Sequence, residues 1–454
     1  MNYNEYNIFD KDYITQNFGN VGGFMTDIYN TVDYDFGNYS SGAMQASATD
    51  ESEYSLGGNG IEHFYNGAWS PTNAKASVWS SMYKGISTCN HVIYELKGLS
   101  FDELKLNNDY AAQLHRYENY KYESRFMRAY FYFCLVRQYG DVPLVTKQIT
   151  AEEVNSIERT SADEIFKFII DECTEIQPLI IEDYSNLGEF STGTEETGRA
   201  DRLAVLALKA RAALYWASPL FNPEDNQSYY PSFNKQELIK HETYDKNRWQ
   251  EAADACLEAI NAAHGAGYAL YTKYGDPVKD YKAAVTEFPD IDANGTAKGN
   301  PEIIWGTRQA DSYASETYQS GSRVTIWSTL KQLRGTVGTY LIPLQNMVDK
   351  YELRDGSDQP SDYWETTSDP YNNLDRRFNA TIYHHGYKLG KTVDPFTLDM
   401  RMEPAGDQYP AGAQNFTGYY LAKFFDDDYI AGAGNYPQAF WPYMRLSDLY
   451  LMYA

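Results

Sequence analysis

The chain is 454 residues long and carries 38 Lys and Arg against 63 Asp and Glu, a formal charge of −25 at pH 7. A surface of that sign repels a phosphate backbone, which excludes nucleic acid as a partner. No run of about 18 apolar residues occurs, so no helix is expected to span a bilayer, and the length admits either several domains or one continuous repeat body.

Tyrosine dominates the aromatic content, with 42 residues against 21 Phe and 8 Trp. Many of these rings are expected at the surface, where a flat apolar face with a polar tip suits polar ligands and protein partners. Cys89, Cys134, Cys173 and Cys256 are far apart and form no CxxC pair. Each falls on the apolar face of an expected helix, so they read as buried free thiols rather than as a disulfide or metal set.

The opening MNYNEYNIFDKDY is polar, with neither a basic nor an apolar leader region, and reads as a chain whose export signal is already removed. Helices are expected over 21–29 and over 77–96, the latter with Val78, Met82, Ile86, Cys89 and Ile93 on one face. A third, over 120–139, is apolar nearly all round and must be enclosed by other helices. Arg125, Arg128 and Arg137 interrupt its Phe126, Met127, Tyr130, Phe131, Phe133, Cys134 and Leu135. Gly140 and Pro143 end it. A fourth, over 161–176, opens with Ser161 and Glu164 at capping-box spacing and carries Ile165, Phe168, Ile169, Glu172, Cys173 and Ile176, its stripe facing a core and its carboxylates facing water. The fifth, over 199–217, offers Ala204, Ala207, Ala210, Ala213 and Ala217 as a small-residue face for close helix approach. The sixth, over 245–264, presents Trp249, Ala252, Ala253, Cys256, Ile260 and Ala263.

From 265 to 441 the sequence turns to Gly, Asp, Asn, Pro and aromatics, with strand-like runs only at 302–308 and 419–425. Its aromatic content fits ordered loops on a scaffold rather than disorder. RLSDLYLMYA at the end reads as a helix with Leu446, Leu449, Tyr450 and Tyr453 at helical spacing, halting without a cap as a truncated chain would. The expected class is mainly α, built of tetratricopeptide-like helical hairpins with a loop-rich region holding a few short strands. The expected organisation is a helical scaffold with an N-terminal binding loop over 1–264, a loop-rich ligand-binding region over 265–441, and the start of a late scaffold helix over 442–454.

Four stretches taken together resemble the SusD/RagB family of bacterial outer-membrane nutrient-binding lipoproteins. They are TDESEYSLGG with WSPTNAKASVWSSMYKGISTCNHVI (49–58 and 69–93), YKYESRFMRAYFYFCLVRQYGDVPLV (120–145), GRADRLAVLALKARAALYWASPLFN (198–222) and the terminal RLSDLYLMYA. The resemblance implies a helical superhelix, surface exposure on the outer membrane through an N-terminal lipid, and a SusC-like TonB-dependent transporter as partner. It also implies capture of oligosaccharides, with peptides as the alternative ligand, and delivery without cleavage. Neither the lipidated cysteine nor the signal segment stands in this sequence.

Sugar recognition needs flat rings for pyranose C–H faces and a rim of amide, carboxylate or guanidinium groups. Trp69 and Asn73 have that character, with Asp50 nearby in sequence; so do Tyr313, Tyr318, Arg323 and Trp327 in SYASETYQSGSRVTIW. In relatives these two regions form the sugar site. The competing reading is that Trp69 and Trp327 fill core beneath loops. Asp290, Asp292, Asn294 and Gly295 resemble the opening of a calcium loop, but Pro301 stands at the twelfth position, so an Asx-rich turn is expected. The cluster Asp426, Asp427 and Asp428 reads as solvated, and the adjacent His384 and His385 as structural. No metal, cofactor or catalytic residue is expected; GxSxG, HExxH and GxxxxGK[ST] are missing from the sequence. The function expected is non-catalytic glycan capture. Its rivals are an α-helical glycoside hydrolase, which needs two carboxylates across a cleft, and a repeat scaffold for peptides or proteins.

Overall fold

The computed structural model describes residues 11–32, 45–54, 60–70, 72–75, 77–191, 196, 198–224, 232–287, 299–308, 341–389, 396–400, 416–423 and 440–454. They form two compact units, the first from residues 1–33, 77–269 and 444–454, the second from residues 34–76 and 270–443. The class is mainly α, with short paired strands.

The first unit is built of α1 (Phe18–Asn30), α2 (Trp79–Glu95), α3 (Tyr110–Tyr139), α4 (Ala162–Ile176), α5 (Arg202–Ala217), α6 (Asn247–Gly265) and α7 (Leu446–Tyr453). Each of α2 to α6 packs on the next, α1 lies against α2 and α3, and α7 against α5 and α6. Helix α3 starts ten residues before the expected 120. Its first turns bury Ala112, Arg116, Asn119 and Glu123 at helical spacing, and three of these four are polar, so an apolar criterion passes over them. Arg116 is satisfied there by the carbonyls of Ala112 at 3.0 Å and Phe190 at 2.8 Å and by Glu196. Gly140 ends α3 at φ 71°, where a Cβ is strained, and its N–H donates to Val136.

The helix faces carry further corrections to the sequence reading. In α4 Phe166 is the buried ring, whereas Phe168 is half-buried and edge-on to Tyr132. Ser161 accepts the Glu164 N–H at 3.2 Å, but its hydroxyl also bonds the Glu164 carboxylate, and the complete reciprocal box forms at Thr150 and Glu153 instead. In α6 Trp249 faces outward, 39% exposed, while Ala255 and Ala259 join the buried face, and α5, on which α6 packs, buries all six of its alanines. In α7 Leu446 and Leu449 are buried, Tyr453 is exposed, and Tyr450 meets His264 Nε2 at 2.6 Å through its hydroxyl. All four cysteines are buried and free. Burial pushes the thiols of Cys89, Cys173 and Cys256 up, the last to about 11, which leaves these three inert.

The tyrosines of this unit are divided between core and surface, and several hydroxyls find backbone partners in the loops. Tyr117 donates to Leu96 O at 2.6 Å and accepts from Leu99 N–H at 2.7 Å; Tyr132 accepts from Val145 N–H at 2.6 Å; Tyr83 donates to Pro143 O at 2.7 Å. A buried ring whose hydroxyl closes a loop satisfies two groups at once.

Three carboxylates tie helices together. Glu123 of α3, fully buried, receives Tyr29 of α1 at 2.7 Å, Asn119 at 2.9 Å, Tyr184, and Arg199 Nη2 at 2.6 Å. Tyr29 in turn accepts the Ala200 N–H at 2.9 Å. Glu172 of α4 receives Arg125 at 2.7 Å and Arg128 at 2.9 Å, and Arg128 also reaches Asn90 of α2 at 2.7 Å. Asp163 receives Trp216 Nε1 at 2.6 Å and Arg248 at 2.9 Å and lies 2.6 Å from His241 Nδ1.

In the second unit β1 (Ser52–Tyr54) pairs antiparallel with β3 (Leu341–Pro343), Ser52 opposite Pro343 and Tyr54 opposite Leu341. The strand expected at 302–308 is β2 (Ile303–Arg308), partnered by β8 (Phe440–Arg445), with the Trp305 and Tyr443 rings 5.0 Å apart. β4 (Ile382–Tyr383) pairs with β7 (Tyr420–Leu421), and β5 (Lys388–Leu389) with β6 (Phe396–Thr397). The expected strand at 419–425 is thus reduced to two residues, with 424 and 425 outside the described residues. Aromatic clusters fill the interior, one around Val348, Tyr363, Leu374, Phe378, Ile382 and Tyr419, another around Tyr383, Leu398 and Tyr420. His384 is 6% exposed and stacks on Tyr371 at 4.2 Å and Phe378 at 5.2 Å. Its nitrogens lie 2.8 Å from the His385 carbonyl and 2.9 Å from the Asn379 side chain. Burial lowers its pKa to about 4, against smaller opposing effects of the His385 carbonyl and Asp369. A neutral ring donates from one nitrogen only, so Nδ1 donates to the carbonyl and the amide NH2 of Asn379 belongs opposite Nε2.

Three outcomes follow from this packing. A Cβ on Gly85 of α2 would stand 2.6 Å from the buried Phe131 ring and 2.9 Å from Thr31, so Gly85→Ala lowers stability by about 1–3 kcal/mol in urea unfolding. Glu123→Ala removes the closer of the two carboxylates of Arg199, leaving Glu196 at 3.5 Å, and strands the Tyr29, Asn119 and Tyr184 donors; it costs about 3–5 kcal/mol, read by the same melts. The unfolded chain protonates His384 near 6.5 and the folded one near 4, so its contribution to stability is present above that window and lost as pH falls through it. The full effect is about 3 kcal/mol, and His384→Gln should flatten the urea midpoint between pH 7 and 4.5.

Candidate functional site

A surface aromatic platform in the second unit arises from a short stretch of chain around a tight reversal. Alternation along β1 buries Ser52 and Tyr54 and turns Glu53 outward. Ser52 meets Ser47 through their hydroxyls at 3.1 Å, and Tyr54 packs with Ile61, Ala48 and Phe64. The 3-10 turn Gly60–Phe64 follows, and its Glu62 carbonyl accepts the N–H groups of Tyr65 at 3.2 Å and Asn66 at 2.9 Å. Gly67 then reverses the chain at φ 80°, a conformation open to glycine and strained for other residues.

Trp69 sits just beyond, held by a clamp. The Asn66 side chain accepts the Ala68 N–H at 3.0 Å, Asn73 N–H donates to Ser70 O at 2.9 Å, and Asn73 Nδ2 donates to Ala68 O at 2.8 Å. Asn73, expected as a rim group, thus commits one of its two amide donors to bracing the loop. Trp69 is 55% exposed and leans on Phe64, ring centroids 5.0 Å apart at 58°, while Phe64 is anchored on the Tyr54 and Ile61 core. Tyr65 adds a second ring, also 55% exposed. Partial burial raises its hydroxyl pKa first, and the charges of Glu62 and Glu53 raise it further. Asp50 is exposed in the turn between the 3-10 helix Gln45–Ala48 and β1.

Tyr313, Tyr318, Arg323 and Trp327 lie outside the described residues. The description resumes at Leu341, whose partner across the strands is Tyr54, the anchor of Phe64. Phe64 and Tyr65 were passed over in the sequence, although FYNGAW signals them: an Asn-Gly reversal between aromatic residues is a turn that displays rings. The calcium-like Asp290, Asp292, Asn294 and Gly295 and the cluster at 426–428 also fall outside the described residues. Among those described, no group of three or more His, Cys, Asp or Glu side chains is arranged to hold a metal ion. His384 and His385 do not act together, since the first is buried and the second is half exposed and accepts the Met400 N–H at 3.2 Å.

The first unit holds a groove of about 960 Å³ between residues 96–100, the 114–122 face of α3 and residues 179–190. Two of its central polar groups are already spent on the protein: the Tyr117 hydroxyl on Leu96 and Leu99, the Asn119 amide on Glu123, Tyr184 and Ile181. The platform, with rings exposed and fixed from beneath, is the better-built surface for a ligand.

A family model described as starch-binding and associating with the outer membrane matches residues 14–214, and a model of the SusD family matches residues 301–454. No curated protein sequence matches the chain. Among solved structures, a SusD-like protein from Bacteroides fragilis NCTC 9343 is 21% identical with a TM-score of 0.67, over 97% of this chain and 75% of its own. A SusD-like carbohydrate binding protein from the same organism is 18% identical with a TM-score of 0.66, over 97% and 74%. A laminarin binding SusD-like protein is 18% identical with a TM-score of 0.55, over 96% and 79%. These structures share the fold, and with the family matches on both the helical first part and the loop-rich last part, the chain belongs to the SusD/RagB family.

Proposed function

We propose that this chain captures oligosaccharides at the outer surface of the bacterial outer membrane and passes them uncleaved to a SusC-like TonB-dependent transporter. The observation that carries the proposal is the exposed Trp69, leaning on Phe64 in a loop braced by Asn66 and Asn73, with the exposed Tyr65 four residues before it. Such a platform covers the C–H face of a pyranose while nearby polar groups bond its hydroxyls. Support comes from the description of the family as starch-binding and outer-membrane associated, and from neighbours described as laminarin binding and as a complex with xylogluco-oligosaccharide.

In this proposal Asp50 and Asn73 belong to the rim, and Tyr313, Tyr318, Arg323 and Trp327 supply the facing side. The loop-rich second unit holds the ligand, and the helices of the first, read as tetratricopeptide-like, form the rigid body. An N-terminal lipid tethers the protein. The chain binds without catalysing, so its affinity is modest and the ligand leaves intact.

Replacing both exposed rings, Trp69→Ala with Tyr65→Ala, should weaken retardation in a polysaccharide affinity gel by roughly tenfold or more. The thermal midpoint should stay near that of the parent, because both rings are more than half exposed. Unchanged retardation in the folded variant, or shortened products when the parent is incubated with its glycan, would reject the proposal.

A further inference from the structure

The reversal that carries the chain to Trp69 holds a reactive pair of residues. Asn66 and Gly67 are both exposed, and Gly67 stands at φ 80° with nothing within 4 Å of the place a Cβ would take. Asn-Gly occurs at 59–60, 66–67 and 294–295, and only the second pair lies wholly within the described residues. Asn66 Oδ1 accepts the Ala68 N–H at 3.0 Å, and because that partner is a donor, the amide oxygen rather than the nitrogen faces it. A hydrogen bond from a side-chain oxygen to the N–H two residues on closes an Asx-turn, which folds the side-chain carbonyl carbon back toward the Gly67 nitrogen. Among the described residues no acceptor meets the Gly67 N–H.

We propose that Asn66 is a deamidation site whose reaction loosens the loop under Trp69. Hydroxide takes the Gly67 N–H proton, and the nitrogen attacks Asn66 Cγ. The bond from Gly67 N to Cγ forms, the Cγ–Nδ2 bond breaks, and the nitrogen leaves as ammonia, protonated by water, so that a five-membered imide remains. Water then adds to either imide carbonyl and opens the ring, to aspartate or to isoaspartate. Two features favour the closure. The Ala68 N–H bonds the oxygen on which negative charge develops, as an oxyanion donor does. Glycine lets its nitrogen approach without a neighbouring Cβ in the way. The two products differ in consequence. Aspartate keeps a side-chain oxygen for the Ala68 N–H, whereas isoaspartate routes the main chain through Cγ, lengthens it by one atom and breaks the Asx-turn. The modification is independent of the glycan-capture reading; only its cost to binding rests on that reading.

The test incubates the full chain at mildly alkaline and at mildly acidic pH, cleaves it after Glu62 and Lys75, and follows by mass the 63–75 peptide, which holds Asn66 and Asn73. Asn73 is the internal control, since it is exposed as well but precedes Ala74 and commits its amide nitrogen to Ala68 O. A gain of one mass unit should accumulate at Asn66 roughly tenfold faster than at Asn73, and faster in alkali than in acid because the attacking nitrogen must lose its proton. Asn66→Gln, whose longer side chain closes a ring far more slowly, should show no such gain. Hydrogen exchange of the 66–70 backbone should speed by roughly tenfold in the isoaspartate fraction and stay at the parent rate in freshly prepared Asn66→Asp. Asn66 left intact under conditions that convert the free 63–75 peptide overturns the proposal, because the fold then protects the pair. Equal conversion of Asn66 and Asn73 overturns it, and so does an isoaspartate fraction whose exchange is unchanged. Faster exchange with unaltered retardation in a polysaccharide affinity gel counts instead against the capture reading and leaves the modification standing.

Discussion

A carboxylate taken wholly out of water is the constraint on which the helical unit depends. Glu123 lies mid-way along α3 with no exposure, and isolating such a charge costs several kcal/mol unless donors surround it. The donors come from separate parts of the chain: Tyr29 from the end of α1, Asn119 from the preceding turn of α3, Tyr184 from the loop after α4, and Arg199 from the approach to α5. None of them is optional. Removing one leaves a lone pair or a guanidinium unsatisfied in a medium where that is expensive, so the four segments meet in one arrangement. The Tyr29 and Tyr184 hydroxyls stay protonated and donating because burial, and then Glu123 itself, raises their pKa.

The same device recurs along the unit. Glu172 gathers α3 and, through Arg128, Asn90 of α2; Asp163 gathers the end of α5, His241 and the start of α6. Between these polar nodes the helices are held by close approach, of Gly85 to Phe131 on one side and of the alanines of α5 to α6 on the other. Apolar packing supplies most of the stabilisation but tolerates sliding by a turn, whereas a buried ion pair with three or four donors does not. Among its described residues the second unit has no helix longer than seven residues. Its order comes from two- to six-residue strands, aromatic clusters and side chains that close turns, as Asn66 and Asn73 do around Trp69.

How much of this the sequence disclosed follows from the same division. Helices with an unbroken apolar face were legible, and so were the stops at Gly140 and the buried cysteines. Buried polar positions were not. The first ten residues of α3 and Glu123 itself look like solvated helix until the partners from other segments are in place. Trp249 misled in the other direction, a large ring at the right spacing that faces solvent because the alanine face packs more closely without it. Which tyrosines go inside was hidden, because a sequence shows the hydroxyl but not the loop carbonyl or N–H that meets it. Around the platform, Trp69, Asn73 and Asp50 are the residues that composition and likeness single out, while the position of Phe64 beneath Trp69 depends on Tyr54. That residue is placed by pairing with Leu341, a contact between strands far apart in the chain.

The construction of the platform bears on how a ligand would leave as well as how it would arrive. Rings already fixed by Phe64 from beneath and by the Asn73 clamp from the side lose little freedom on binding, so contact is not offset by ordering. Two rings exposed by half offer an apolar face to one side of a sugar, and in the proposed capture step the area each removes from water is limited. A hydrolase needs the opposite: a ligand surrounded, desolvated and held against two carboxylates at a set spacing. An exposed aromatic surface fixed from beneath suits repeated capture and release, the behaviour that the proposed delivery step would require.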